Sequence, residues 1–427
     1  MDSGNIAWML VSTAMVLFMI PGLALFYGGM VRAKNTLNML LMNLLCVGIV
    51  PVLWVLVSYT LGNSGNGDGE SGFFGGDFIG NFDHIGLKGL TGDAESLVFV
   101  GFLMTFAAIT PALISGAVAG RLRFSAWVIF VPLWVLLVYT PVTYWVYTGW
   151  FAHGTEGGLD ALDFAGGTAI HINAGIAALA FVLVLGKRRG WPGEPMFPHS
   201  LPLVLIGTGI LWFGWFGFNA GSAGAANAIT VQAFLNTFLA ASAGMLTWLA
   251  VEWARDGNAT LLGACSGVVA GLVAITPAAG FVGGLSPLVF GVVAGVGCYG
   301  AVQLKSRLGY DDSLDVVGIH LVGGLIGGFL LAFFADPAAV GDSFDQLGVF
   351  FGGADIFAPE SVFFDQILSM AITLAFSFTV TYALVKVLDG TIGLRVSAED
   401  ESIGLDQTEH AETAYHLSDS SSFGGAA

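Results

Sequence analysis

The chain has 427 residues, 56% of them hydrophobic and only 10% charged, with a net charge of −17 and a mean hydropathy of +0.81. Soluble globular chains carry about a quarter charged residues, so this composition excludes an ordinary soluble domain and points to a membrane. Nucleic acid is excluded as a partner, because no basic stripe exists to neutralise phosphates.

Eleven apolar segments approach the ~20 residues that cross a bilayer: 6–27, 39–61, 96–119, 125–147, 164–186, 201–220, 229–254, 260–276, 284–304, 315–335 and 363–388. The expected fold is an all-α integral membrane protein of eleven transmembrane helices. Met1 to Asn5 carry no basic flank, so the first segment reads as a retained helix rather than a signal peptide. The eighth is short, and Pro277 follows it. Glycines recur at four-residue spacing, as at Gly263, Gly267 and Gly271 or Gly324 and Gly328, a pattern of close helix contacts. Cys46, Cys265 and Cys298 lie in apolar segments without pairing or ligand spacing.

Lysine and arginine set the orientation. With the N-terminus outside, twelve of the thirteen basic residues fall in inner loops or the tail, and only Lys88 lies outside. An odd number of helices then leaves the C-terminus inside. The chain divides into a transmembrane domain, 1–388, and a cytoplasmic tail, 389–427. The outer loops hold Asp68, Glu70, Asp77, Asp83, Asp93 and Glu95, then Asp336, Asp342, Asp345, Asp355 and Glu360. Spread over loops rather than focused, these acids read as a solvated surface before they read as a funnel for a cation.

Segment five begins with Asp163 and has His171 eight residues on; segment ten begins with Asp315 and has His320 five residues on. Each is the fifth of five, and an odd number per run sends the two into the membrane from opposite faces. That is the pattern of an inverted 5+5 repeat, with the eleventh helix outside it. Of seven histidines only these two lie within spans. The helical rise puts His171 roughly 10–12 Å below the outer end of its segment and His320 about 8 Å above the inner end of its own. Either alone would read as interhelical glue; the two at corresponding places read as the lining of a pore. Neutral imidazole offers one donor and one acceptor. No carboxylate or thiolate stands at ligand spacing beside them, so no metal is expected. Asp163 and Asp315 are expected to cap the helices that follow.

Phe102 and Phe106 share a helical face, and segment six ends in Gly214-Trp215-Phe216-Gly217-Phe218-Asn219-Ala220-Gly221-Ser222. Two readings of these aromatics stay open: core packing, or a cation–π site beside the Ser222 hydroxyl. No nucleotide loop or nucleophile–base arrangement is present, so neither enzymatic activity nor a cofactor is expected.

Several motifs taken together resemble the ammonium transporter family (Amt/Mep/Rh), on the Amt side. They are Phe26-Tyr27-Gly28-Gly29 with Arg32 and Asn35, Phe106-Ala107-x-Ile109-Thr110, Asp163 through Asn173, and Gly214 through Ser222. Leu262 through Gly267, Asp315-x-x-Gly318-x-His320 and Ile392-Gly393-Leu394-Arg395 match as well, so the likeness runs from Trp8 to about Tyr415. The resemblance implies a multi-pass protein of the cell membrane, a homotrimer with one pore per protomer, that takes up ammonium or ammonia. Phe102, Phe106 and Ser222 would form the outer recruiting site, and Phe106 with Phe218 the stacked gate. His171 and His320 would be the paired pore histidines, Phe26 would lie toward the inner end, and Asp163 would be the structural acid. The tail resembles the segment through which many members meet a P-II type regulatory protein. One departure stands out: Tyr147 takes a place where the family usually has tryptophan, with Trp150 in the following loop as the alternative. Two rival readings are a sensor that signals through the tail and a neutral-gas channel.

Overall fold

An uncharged apolar run can satisfy its backbone in hydrocarbon only by coiling on itself or closing into a barrel, and here the runs coil. The computed structural model describes residues 1–64, 78–152, 155, 158–340, 348–351, 356 and 361–415. Of the outer-loop acids, Asp68, Glu70, Asp77, Asp342, Asp345, Asp355 and Glu360 lie outside the described residues.

Among the described residues ten helices are long and apolar enough to cross a membrane: α1 (Ser3–Met30), α2 (Ala33–Asn63), α3 (Ala94–Val118), α4 (Phe124–Tyr147), α5 (Gly167–Leu185), α6 (Leu201–Gly221), α7 (Ala228–Asp256), α9 (Ser286–Leu308), α10 (Val317–Phe334) and α11 (Phe363–Thr391). Between α7 and α9 lies a shorter apolar helix, α8 (Leu261–Ile275). Each apolar segment of the sequence falls on one of these helices, with ends moved by a few residues. Among the described residues there is no strand, only an isolated bridge between Leu122 and Arg395.

Side-chain caps start several helices: Asp2 accepts from the Asn5 amide, Asp93 from Ser96, Asn227 from Thr230 and Thr260 from Gly263. Leu10, Leu44, Leu56, Phe213 and Leu246 are exposed on outward faces, where hydrocarbon suits them. α1 packs on α6 and α3, and α7 on α8 and α9, while α5 is the most enclosed.

α5 and α10 cross at backbone contact. A Cβ on Gly175 would collide with the Leu321 amide nitrogen, and one on Gly324 would stand 2.9 Å from Ile172 and 3.0 Å from the Gly167 carbonyl. Each glycine follows its own helix's histidine by four residues and meets the residue after the other's histidine. Both helices also open with wide π-helical turns, Gly167–Ile172 and Val317–Leu321, and each histidine sits within one. Such turns recur at functional sites because they re-aim side chains.

At the end of the bundle that carries most of the basic residues, two short helices of the tail, α12 (Ala398–Ile403) and α13 (Leu405–His410), dock against the loops. Buried Glu401 accepts from the Arg189 amide (2.6 Å) and from Arg395 (2.7 Å), and Asp406 accepts from the Asn38 amide (2.8 Å). The tail is thus packed onto the helices.

Fully buried Arg121 donates to the carbonyls of Gly186 and Asp311 and to Ser313. Arg188 grips Asp311 with Nε and a terminal nitrogen at 2.9 and 2.7 Å. Burial pushes the Asp311 carboxyl up, but the Arg188 hydrogen bonds and the charges of Arg121 and Arg188 outweigh it and hold the group below its usual range. A depressed carboxylate stabilises the fold above its unfolded pKa of about 4 and loses that stabilisation as pH falls through the lower, folded value. Thermal midpoints of the detergent-solubilised protein should therefore drop as pH falls below about 4, and Asp311→Asn should flatten that drop. An equally steep acid limb in Asp311→Asn would count against this account.

Candidate functional site

The site begins above α5. Asp163 spreads two oxygens over four amides: Oδ1 accepts from Gly166 and Gly167 at 2.8 and 2.7 Å, Oδ2 from Thr168 and Ala169 at 2.8 and 3.0 Å. Negative charge there complements the N-terminal end of the helix dipole. The expected counterpart at α10 differs. Asp312, not Asp315, accepts from the Val317 amide (2.7 Å), while Asp315 meets the Lys305 ammonium at 2.5 Å. Asp315 itself is in the left-handed region, at φ 65°, and Lys305 in the last turn of α9 supplies the cation that takes its carboxylate.

Between these two acids runs a column of rings. Phe102 lies against Gly221, beside Ser222, and its ring centroid is 4.7 Å from that of Phe106. Phe106 stacks on Phe218 at 4.2 Å and 15°. Phe218 stands 6.2 Å from His171, and the imidazoles of His171 and His320 stack at 5.2 Å. Their Nδ1 atoms are 3.2 Å apart. A hydrogen bond between two Nδ1 atoms needs a proton on one and a lone pair on the other, so at least one ring is neutral. Buried His171 Nε2 has no hydrogen-bond partner among the described residues.

Beneath Phe218 lies a cavity of about 10 Å³, close to the room one water needs. Apart from the two histidines its walls are apolar, with Ile170, Leu211, Trp215 and Phe26 among them. Phe26 and His320 also line a second cavity, of about 20 Å³, that reaches Ser266 and Asp315. The structure thus gathers Phe102, Phe106, Phe218, His171, His320 and Phe26 along one line. Ser222 is half-buried at the Phe102 end, its hydroxyl donating to the Phe218 carbonyl at 2.8 Å. Tyr147 ends α4 with about a third of its surface accessible, 36%, and the described ring contacts do not join it to Phe102 or Phe106. Trp150 packs instead against Phe78, Trp145 and Phe151.

Trp215 is the residue sequence reasoning passed over. It stacks on His171 at 5.5 Å and donates from Nε1 to Thr276 Oγ1 at 2.9 Å. The signal was available: Trp215 precedes Phe218 by three, which puts both on one face of α6.

Fold and site together define a multi-pass protein of the cell membrane, built around a buried file of aromatic rings and paired histidines. The profile of the Ammonium Transporter Family matches residues 7–415, and the chain belongs to that family. An ammonium transporter of Mycobacterium tuberculosis strain H37Rv is 48% identical over 97% of this chain and 90% of its own length. The crystal structure of Saccharomyces cerevisiae Mep2 superposes with a TM-score of 0.85 at 36% identity, covering 98% of this chain and 93% of that one. A structure described as a sensor Amt protein matches with a TM-score of 0.84 at 26% identity, over 95% of this chain and 98% of its own.

Asp163→Ala would strand four amides, at a cost on the order of 4 kcal/mol, whereas Asp163→Asn keeps one oxygen and should fall between. Thermal unfolding in detergent measures this; a wild-type midpoint in Asp163→Ala would remove the capping role.

Proposed function

We propose that this transporter recruits ammonium at Phe102, Phe106, Tyr147 and Ser222, takes a proton from it, and passes ammonia between His171 and His320 toward Phe26. The coarser statement, transport of ammonium across the cell membrane, follows from family membership. The mechanism rests on one observation: two imidazoles 3.2 Å apart in a cavity whose other walls are apolar.

An unpaired ion in such a cavity costs several kcal/mol after relaxation, and potassium meets the same penalty as ammonium. Ammonium can break one N–H bond and leave the proton with water on the outer side of the gate, whereas potassium has no proton to leave, so a dry constriction separates them. Aromatic faces attract the cation before it sheds its water. Ser222 has its proton on the Phe218 carbonyl, which leaves oxygen lone pairs free to accept from ammonium. Ammonia donates and accepts hydrogen bonds, and the imidazole pair offers both through the nitrogens it does not use internally. Phe106 and Phe218, in stacking contact, form a gate that opens by swinging a ring aside.

The proposed architecture is eleven spans, N-terminus outside and C-terminus inside, with α1–α5 and α6–α10 as inverted repeats and α11 apart from them. The reciprocal glycines of α5 and α10 support the repeat, and the sorting of basic residues supports the orientation. Residues 1–388 carry transport, and 389–427 form the cytoplasmic tail. The assembly is a homotrimer serving nitrogen uptake, with the docked tail offering a P-II type protein its surface. No enzymatic step or cofactor takes part.

A carboxylate in the pore would give a bare cation a ligand. His320→Glu should therefore admit potassium, read as a potassium-evoked current on a supported membrane at least about tenfold above wild type. Full retention of selectivity would sink the paired-histidine mechanism. Uptake of methylammonium into vesicles carrying the wild-type protein tests transport itself; a complete absence would favour a sensor.

A further inference from the structure

A third cavity, of about 30 Å³, continues the file, sharing Met30 and Leu314 with the second. Its polar walls are Arg32, Asn35, Arg188 and Ser313, and no acidic residue lines it.

The hydrogen-bond inventory leaves donors over. Ser313 is satisfied, accepting from Arg121 at 2.7 Å and donating to the Ala119 carbonyl at 3.1 Å. Arg188 uses Nε and one terminal nitrogen on Asp311; the other has no acceptor among the described residues. The Arg32 side chain has neither a hydrogen bond nor an ion pair among the described residues. Asn35 is only 3% exposed. Its Oδ1 accepts from the Leu405 amide at 2.9 Å. Its Nδ2, beside Gly120 in the cavity wall, donates to nothing among the described residues. The Asn35 amide and the Arg32 and Arg188 guanidinium groups therefore keep N–H donors free toward the cavity, open to water or to an anion.

We infer that Arg32, Arg188 and the Asn35 amide form a binding site for a small anion of halide size at this end of the file. The cavity takes roughly two water-sized spheres, which suits a monatomic anion and is tight for a tetrahedral oxyanion. Guanidinium and amide N–H groups are the donors such an ion needs. If the pore reading above holds, the bound anion also cancels the positive wall met by ammonia that regains a proton at this end.

Bromide is the probe. Crystals of the full-length protein grown in bromide should give an anomalous peak between Arg32, Arg188 and Asn35. Asn35→Asp keeps the acceptor for Leu405 and replaces the donor with negative charge, and Arg32→Gln removes a positive charge; both should lose the peak. In solution, chloride should raise the wild-type unfolding midpoint by about 2–4 °C over gluconate at equal ionic strength, with the difference gone in both variants. A peak without the chloride effect would mean binding at crystal concentration only and would overturn the site. So would a peak that survives in Asn35→Asp, or stabilisation by phosphate and not by chloride. The pore reading is untouched by any of these, because the His320→Glu current tests it separately.

Discussion

The hydrogen bond between His171 and His320 requires α5 and α10 to lie at backbone contact deep in the bundle, and much else in the molecule serves that approach. Gly175 and Gly324 remove the side chains that would hold the helices apart. Asp163 and Asp312 tie down the first turns of the two helices by accepting their free amides. The π-helical turns then rotate each imidazole out of ordinary helical register and toward the other. Each device is local and encoded near its own histidine. Their effects meet only at the crossing, which is why the contact joins residues 149 positions apart.

A closed column needs parts that move and parts that stay, and the hydrogen bonds divide the two. Trp215 is tethered through Nε1 to Thr276, whose own hydroxyl donates to Leu272, so the wall beside His171 is fixed. The rings of Phe106 and Phe218 carry no polar handle, and the Ser222 hydroxyl binds the Phe218 backbone rather than its ring. Rotamer change is therefore the motion available to the proposed gate, without a rearrangement of helices.

Most of the helical framework was legible in the sequence, because a run of some twenty apolar residues has few other fates. The column was legible in part. His171 and His320 stood out as polar residues in apolar runs, and the i, i+4 spacing joined Phe102 to Phe106. Trp215 did not stand out, since tryptophan is unremarkable in an apolar helix until a partner is known. The π-helical turns leave no mark in a hydrophobic pattern. The run Asp311-Asp312-Ser313-Leu314-Asp315 offered several carboxylates for one helix start. Which of them caps depends on Lys305 and Arg188, which reach in from other elements, and spacing cannot reveal that.

The difference between the two acids bears on direction. Asp163 is held by amides alone, so its negative charge is spread over dipoles and not cancelled by a cation among the described residues. Asp315, its sequence counterpart, has the Lys305 ammonium against it, and nearby Asp311 has Arg188. The acid at the Asp163 end thus keeps its negative charge uncancelled, while the acids at the other end are paired, although the two helices cross with near-symmetric contacts. In the proposed orientation the uncancelled charge lies toward the outside, where it raises the local concentration of a cation before any desolvation begins. Two halves alike in backbone can therefore act as entrance and exit, because one acid kept its charge and the other acquired a lysine.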